Sequence, residues 1–269
     1  MTDEPSAPDG PSEPDEPSAP DAHRRPWIVG VSGASGTPYA KAVVNGLLDA
    51  GLPVDLVVSR AARLTLLDET GIGFRDAHWS ADLASWLGRE PGDVTASVRY
   101  WAPGDLGAGP ASGSYPARGM IVVPASTAAV AGIAIGLSKD LLQRAADVTL
   151  KERRRLVVVV RETPYTRGTL AHLLTLHDAG AVVLPASPAF YAGADSVQRL
   201  VDFVAGKVLD VIGVEHTLLT RWTGELGAAR RPAEPPDVPP SDRPPSGRVT
   251  GHRPDEGCGP FTTRSRRRT

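Results

Sequence analysis

The sequence predicts an α/β domain in which a mostly parallel sheet is covered by helices on both faces. Three observations carry this. Short runs of Val, Ile and Leu recur between Trp27 and Trp222; they are continuous rather than alternating; and helical stretches, several closed by Gly, stand between them. A continuous apolar strand is buried on both faces, and strands that take turns with helices form parallel pairs. The expected architecture is a doubly wound, flavodoxin-like or Rossmann-like sheet, whose ligands bind beyond the carboxyl ends of its strands.

Each element follows from its residues. PWIVGVSG (26–33) is a strand, and GASGTPYAKAVVNGLLDAG is a tight turn and a helix closed near Gly51. VDLVVS (54–59) is the second strand, and RAARLTLLDETG (60–71) is a helix stopped by Gly71. ADLASWLG (81–88) is a shorter helix, and VTASVRY (94–100) alternates like a half-buried or edge strand. A Gly- and Pro-rich loop (101–119) leads to the strand MIVVPAS (120–126), a small-residue helix (127–136) and a further helix (137–152). LVVVV (156–160) is a strand, 166–180 a helix, AVVLPAS (181–187) the last strand, and 196–213 the last helix. Gly206 weakens that helix by up to about 1 kcal/mol.

Composition bounds the function. Residues 1–25 form an acidic, Pro- and Ser-rich segment, with seven acidic residues before residue 23, and 223–269 are rich in Pro, Gly and Arg. Both are expected to be disordered, because neither buries enough apolar surface to offset the entropy of ordering. The folded part is expected to be one domain over 26–222. A net charge of −2 gives no global field for nucleic acid, and the basic tip RSRRRT reads most simply as a solvated tail. The single cysteine, Cys258, lies in that tail, which excludes an internal disulfide, a cysteine zinc site and an iron–sulfur cluster. The N-terminus lacks the apolar stretch of a signal peptide, and no run reaches the roughly 18 apolar residues of a membrane span. A soluble, cytoplasmic protein is expected.

The strand ends carry the chemistry. Ser32-Gly33-Ala34-Ser35-Gly36 follows the first strand; it fits a plain Gly-rich link or a phosphate cradle at a helix N-terminus. Ser59 follows the second strand, Pro124-Ala125-Ser126-Thr127 the fourth, Arg161-Glu162 the fifth, and Pro185-Ala186-Ser187 the sixth, with Phe190 and Tyr191 just beyond. One polar strand end is a cap; several together suit a phosphorylated cofactor. Asp147 and Lys151 stand i,i+4 on one helix and fit an ion pair. Arg153–Arg155 read as a solvated turn, and Glu69 fits a surface position on its helix. His172 and His177 are five apart, a poor metal spacing, so no metal is expected.

The segments VGVSGASGTPYAKAVVNGL, ASGSYPARGMIVVPAST, LLQRAADVTLKERRRLVVVVRETP and GAVVLPASPAFY, with SVQRLVDFVAGKVLD and LLTRW after them, resemble the bacterial flavin prenyltransferases. The resemblance covers Trp27 to Trp222. It implies transfer of a dimethylallyl group from dimethylallyl phosphate to N5 and C6 of reduced FMN, without metal. It also implies a trimer-based dodecamer whose product serves a prenylated-FMN-dependent decarboxylase acting on ubiquinone precursors or aromatic acids. By the same resemblance Gly33, Ala34, Ser35, Ser59, Ser126, Thr127, Ala128, Ala129 and Arg144 contact FMN. Lys151, Arg161, Tyr191 and Lys207 grip the dimethylallyl phosphate, some from a neighbouring subunit, with Trp222 close by. Glu162, Glu69 and Ser35 are the expected catalytic groups, with Glu162 assisting proton transfer. Cationic and phenolic donors aimed at a leaving phosphate suit a developing allyl cation. The sequence departs from the family at Lys207, often Arg, and at Asp140, often Asn or Gly. The alternatives are a flavin-dependent cysteine decarboxylase, although PASTAA lacks the Asn of that group's PASANT, and a non-catalytic FMN-binding module of the same fold.

Overall fold

The structure is a computed structural model that describes residues 25–190, 195–219 and 221. The expected tails, Tyr191 and Trp222 lie outside the described residues. In chain order the elements are β1 (Trp27–Val31), α1 (Thr37–Asp49), β2 (Val54–Val58), α2 (Arg60–Thr70), α3 (Trp79–Leu87), α4 (Pro91–Ser97) and β3 (Val98–Trp101). They continue with β4 (Gly119–Ala125), α5 (Thr127–Ala134), α6 (Leu141–Lys151), β5 (Arg155–Val160), α7 (Arg167–Asp178), β6 (Val182–Pro185) and α8 (Val197–Val211).

The six strands form one sheet in the order β3-β2-β1-β4-β5-β6, and every pair is parallel. This is the Rossmann order, in which the chain leaves β1 to one side and returns to β4 on the other. All residues of β1, β2 and β4 are buried, which is why their sequences read as near-continuous apolar runs, the buried Asp55 of β2 being the charged exception. Successive strand residues face opposite layers. Val29, Leu56, Ile121 and Val157 pack under α1, α3 and α8, whereas Ile28, Met120, Val122 and Val158 pack under α5, α6 and α7. Each fully buried Val, Leu or Ile contributes about 1.5–3 kcal/mol relative to exposure.

Two stretches differ from the sequence expectation. Residues 94–97 close a short helix rather than open a strand: Pro91 starts α4, Val94 is its one buried residue, and β3 begins only at Val98. A Val-Thr-Ala-Ser-Val run alternates in polarity, but a single buried Val satisfies helix and strand equally. The helix expected over 137–152 begins instead at Leu141. Gly136 (φ 64°) and Ser138 (φ 50°) turn the chain, and Asp140 caps α6, its Oδ1 accepting from the Gln143 N–H at 3.0 Å.

At the centre of the sheet, Ser32 joins the carboxyl ends of β1 and β4. It is 2% exposed, donates its hydroxyl to the Pro124 carbonyl at 2.8 Å, and accepts from the Ser126 N–H at 2.7 Å. Replacing it by Ala leaves the half-buried Ser126 amide without its acceptor and takes one of two donors from the buried Pro124 carbonyl, which keeps the Ser32 N–H at 3.2 Å. Ser32→Ala is expected to cost about 1–3 kcal/mol in urea unfolding and to lower Tm by several degrees.

Candidate functional site

The reversal of strand order between β1 and β4 opens a crevice at their carboxyl ends. A cavity of about 500 Å³ lies there, within the usual range for small-molecule sites, and Ser32, Gly33, Ser59, Ser126, Ala128 and Ala129 contribute to its wall. Gly33 is required by close approach: a Cβ on it would stand 2.4 Å from the Ala61 Cβ. The turn after β1 thus rests directly on the start of α2. Ser59 and Ser126 cap α2 and α5, their Oγ atoms accepting from the Ala62 N–H at 3.1 Å and the Ala129 N–H at 3.2 Å. A capping hydroxyl spends a lone pair and keeps its proton, so both serines retain a donor beside the cavity. Thr127 begins α5 next to them.

The turn that opens α1 is used differently. Glu69, from α2, accepts from the Gly36 N–H at 2.7 Å, the Thr37 N–H at 2.8 Å and the Thr37 hydroxyl at 2.6 Å. The amides that the sequence offered as a phosphate cradle are therefore filled in part by this chain's own carboxylate. Partial burial opposes the charge of Glu69, but the bonds from Thr37, Ser35 and the Gly36 and Thr37 amides outweigh it and hold its pKa below the ordinary value. Glu69 is a buttress under Ser35 rather than a surface residue, and Ser35 stays exposed above it.

Arg161 and Glu162 stand just past the end of β5, so strand alternation does not separate them. The Arg161 amide donates to the Ala125 carbonyl at 3.2 Å, which ties this end to β4. Its Nε is buried and has no hydrogen-bond partner among the described residues. Burial raises the Tyr39 phenol above its ordinary pKa, and the Arg161 charge opposes the rise, so the two groups share one neighbourhood at the start of α1. Glu162 is exposed, its Oε1 accepting from the Thr163 N–H at 3.0 Å.

Other expected residues lie apart from the cavity. Lys151 ends α6 and pairs with Glu152; Asp147 pairs instead with Arg144, through Nη1 at 3.0 Å. The Asp147–Lys151 pair expected from i,i+4 spacing is thus replaced by an i,i+3 pair. Lys207 lies on α8, 3.4 Å from Asp210, which also accepts from His216 and Arg221. The sequence reading missed Gln143, 5% exposed, which lines the cavity and accepts from the Lys139 N–H at 3.2 Å. Its signal was a lone amide on a buried face of α6 that is apolar but for Thr149. Among the described residues no group of three or more His, Cys, Asp or Glu is placed to hold a metal ion, and no helix is long and apolar enough to cross a membrane.

The cavity suits a phosphate-bearing ligand on chemical grounds: two serine donors stand at helix N-termini, and small residues line its wall. For Glu69, whose folded pKa is depressed, the stability gained from its ionised form is fully present above its ordinary value of 4.5 and is lost as pH falls through the folded value. Urea unfolding is therefore expected to show Glu69→Gln less stable than wild type at pH 7, with the gap narrowing in acid below pH 4.5.

The sequence profile of the Flavoprotein family matches residues 15–209. A flavin prenyltransferase UbiX of Streptomyces coelicolor is 70% identical over 212 residues, spanning 76% of this chain and 98% of the relative. The UbiX of Synechocystis is 43% identical over 205 residues, 75% and 98% of the two chains. Among solved structures, AnUbiX in complex with FMN and dimethylallyl pyrophosphate is 35% identical, with a TM-score of 0.66 over 75% of this chain and 99% of that one. A dodecameric FMN-dependent UbiX-like decarboxylase from Escherichia coli O157:H7 is 36% identical, with a TM-score of 0.64 over 74% and 99%. A shared length of this extent, reaching from the turn after β1 through the Arg161-Glu162 strand end, makes this chain a member of the Flavoprotein family and, within it, of the flavin prenyltransferases.

Proposed function

We propose that this enzyme transfers a dimethylallyl group from dimethylallyl phosphate to N5 and then C6 of reduced FMN, and that the product passes to a decarboxylase that uses it. The observation that carries this reading is the strand end Val160-Arg161-Glu162, where a buried guanidinium nitrogen without a partner among the described residues is followed in sequence by an exposed carboxylate. Reduced FMN supplies the two nucleophilic positions. The C–O bond of the allyl phosphate would break with its electron pair going to phosphate as a C–N bond forms and N5 gives up its proton; the bond to C6 would then form from the prenyl double bond, one alkene carbon taking a proton and C6 losing one.

The chain's residues divide the work. Ser59, Ser126 and the amides of Gly33–Ser35 hold the phosphate end of the flavin, with Thr127–Ala129 and Arg144 along its body. Arg161 meets the leaving phosphate and stabilises the charge that develops there. Glu162 exchanges a proton with the leaving phosphate, which matters because a monophosphate leaves less readily than a diphosphate. Glu69 keeps Ser35 in place, and Ser35 relays a proton at the flavin edge. The family resemblance assigns Tyr191, Lys207 and Trp222 to the allyl phosphate as well, Tyr191 and Trp222 lying outside the described residues. The domain that does this spans 26–222, and a cytoplasmic setting belongs to the same reading.

The position of Lys151 supports a multi-subunit site. α6 starts at the cavity, where Asp140 lines it, and runs to the amino end of β5. Its 11 residues place Lys151 about 15 Å down the axis from that cavity. A lysine there serves a site on another copy of the chain. Exposed Leu170 and Leu174 on α7 and Ile135 beyond α5 give an apolar surface for such a copy to cover.

Anaerobic incubation with reduced FMN and the allyl monophosphate, or the diphosphate, is expected to add one C5H8 unit to the flavin by mass spectrometry; unchanged FMN with both donors rejects the reading. Glu162→Gln is expected to keep FMN bound and to slow product formation by about 10²–10⁴-fold. Inactive Lys151→Ala and Glu162→Gln chains, refolded together, are expected to regain activity. Mixed assemblies that stay inactive would show that Lys151 serves its own subunit's site or none.

A further inference from the structure

The loop between α5 and α6 and the side chain of Arg144 converge on one carboxylate. Asp147 Oδ2 accepts from Arg144 Nη1 at 3.0 Å and from the Ser138 hydroxyl at 3.4 Å. Ser138 holds φ 50°, a left-handed conformation that costs a non-glycine residue energy and that a side-chain bond helps to retain. The next two residues, Lys139 and Asp140, line the switch-point cavity. Asp147 therefore touches neither the cavity nor its contents, yet it ties the loop at the cavity wall to the guanidinium.

The other restraint on Arg144 is fixed as well. Its Nε donates to the Ala111 carbonyl at 3.2 Å. That carbonyl belongs to a loop pinned by Arg154, which donates to the Gly113 and Tyr115 carbonyls at 2.6 and 2.8 Å, and by Tyr115, whose hydroxyl donates to the buried Asp55 at 2.8 Å. With Ala111 on one side and Asp147 on the other, the guanidinium plane has two anchored acceptors. A long arginine held this way loses little further side-chain entropy when it meets a ligand. Lys151, one turn further on, cannot compete for Asp147 while it pairs with Glu152.

We infer that Asp147 is a positioning residue for flavin binding, acting through Arg144 and the 136–140 loop. The role rests on the reading that Arg144 lies against FMN. The test is FMN affinity of the full chain, followed by quenching of flavin fluorescence, in a double-mutant cycle. Asp147→Asn is expected to weaken FMN binding about tenfold, and Asp147→Glu to restore most of it. In an Arg144→Met background, Asp147→Asn is expected to add little further loss, because the two act as one unit. An equal loss in both backgrounds, or no loss in the single variant, overturns the role of Asp147 and leaves the flavin site standing. A wild-type chain that does not bind FMN overturns the flavin reading and the role together. Asp147→Glu, which keeps the charge, guards against a loss that reflects misfolding alone.

Discussion

The candidate site depends on a single hydroxyl at the centre of the sheet. Ser32 is buried where β1 ends; its hydroxyl donates to the Pro124 carbonyl of β4 and accepts from the amide of Ser126, the cap residue that follows β4. The regular β1–β4 ladder ends at Gly30 and Val122 and does not by itself fix how the strand ends beyond it meet. The serine fixes it. From that junction the Gly33 turn is pressed onto α2, Ser126 is brought to the start of α5, and the Ala125 carbonyl is set for the Arg161 amide. Three strand ends are thereby held in register, and the cavity is the space that remains between them.

Much of this was readable before any coordinates, because burial writes itself into composition. The runs WIVGV, VDLVV and LVVVV announce strands covered on both sides, and the serines after the second and fourth strands, Ser59 and Ser126, announce caps. The expected β3 start failed for the same kind of reason: a run with one Val to bury does not say which period buries it. Length settled the matter, since Pro91 provides a helix start close enough for a short helix to form.

The site was legible in its residue types and less so in its pairings. Glu69 finds its partners 32 and 33 residues away, a separation over which local spacing carries no information. Asp147 had two cations within reach on its own helix, and spacing rules allow both; the neighbouring Glu152 removed one of them. Lys151 shows a third limit. The family resemblance assigns it to phosphate, but the helix that carries it runs away from the cavity of its own subunit. Only the length of α6 makes that plain.

The carboxylate at the start of α1 also sets what the crevice refuses. In sheets of this strand order, the first helix commonly receives the pyrophosphate of a dinucleotide on its free amides. Here Glu69 already occupies the Gly36 and Thr37 amides and carries a negative charge at that spot. A pyrophosphate arriving there would meet repulsion and find those donors taken. The amides that this architecture elsewhere offers to NAD are here taken from within, which leaves the Gly33–Ser35 turn and the hydroxyls of Ser59 and Ser126 to receive a single phosphate in the proposed site.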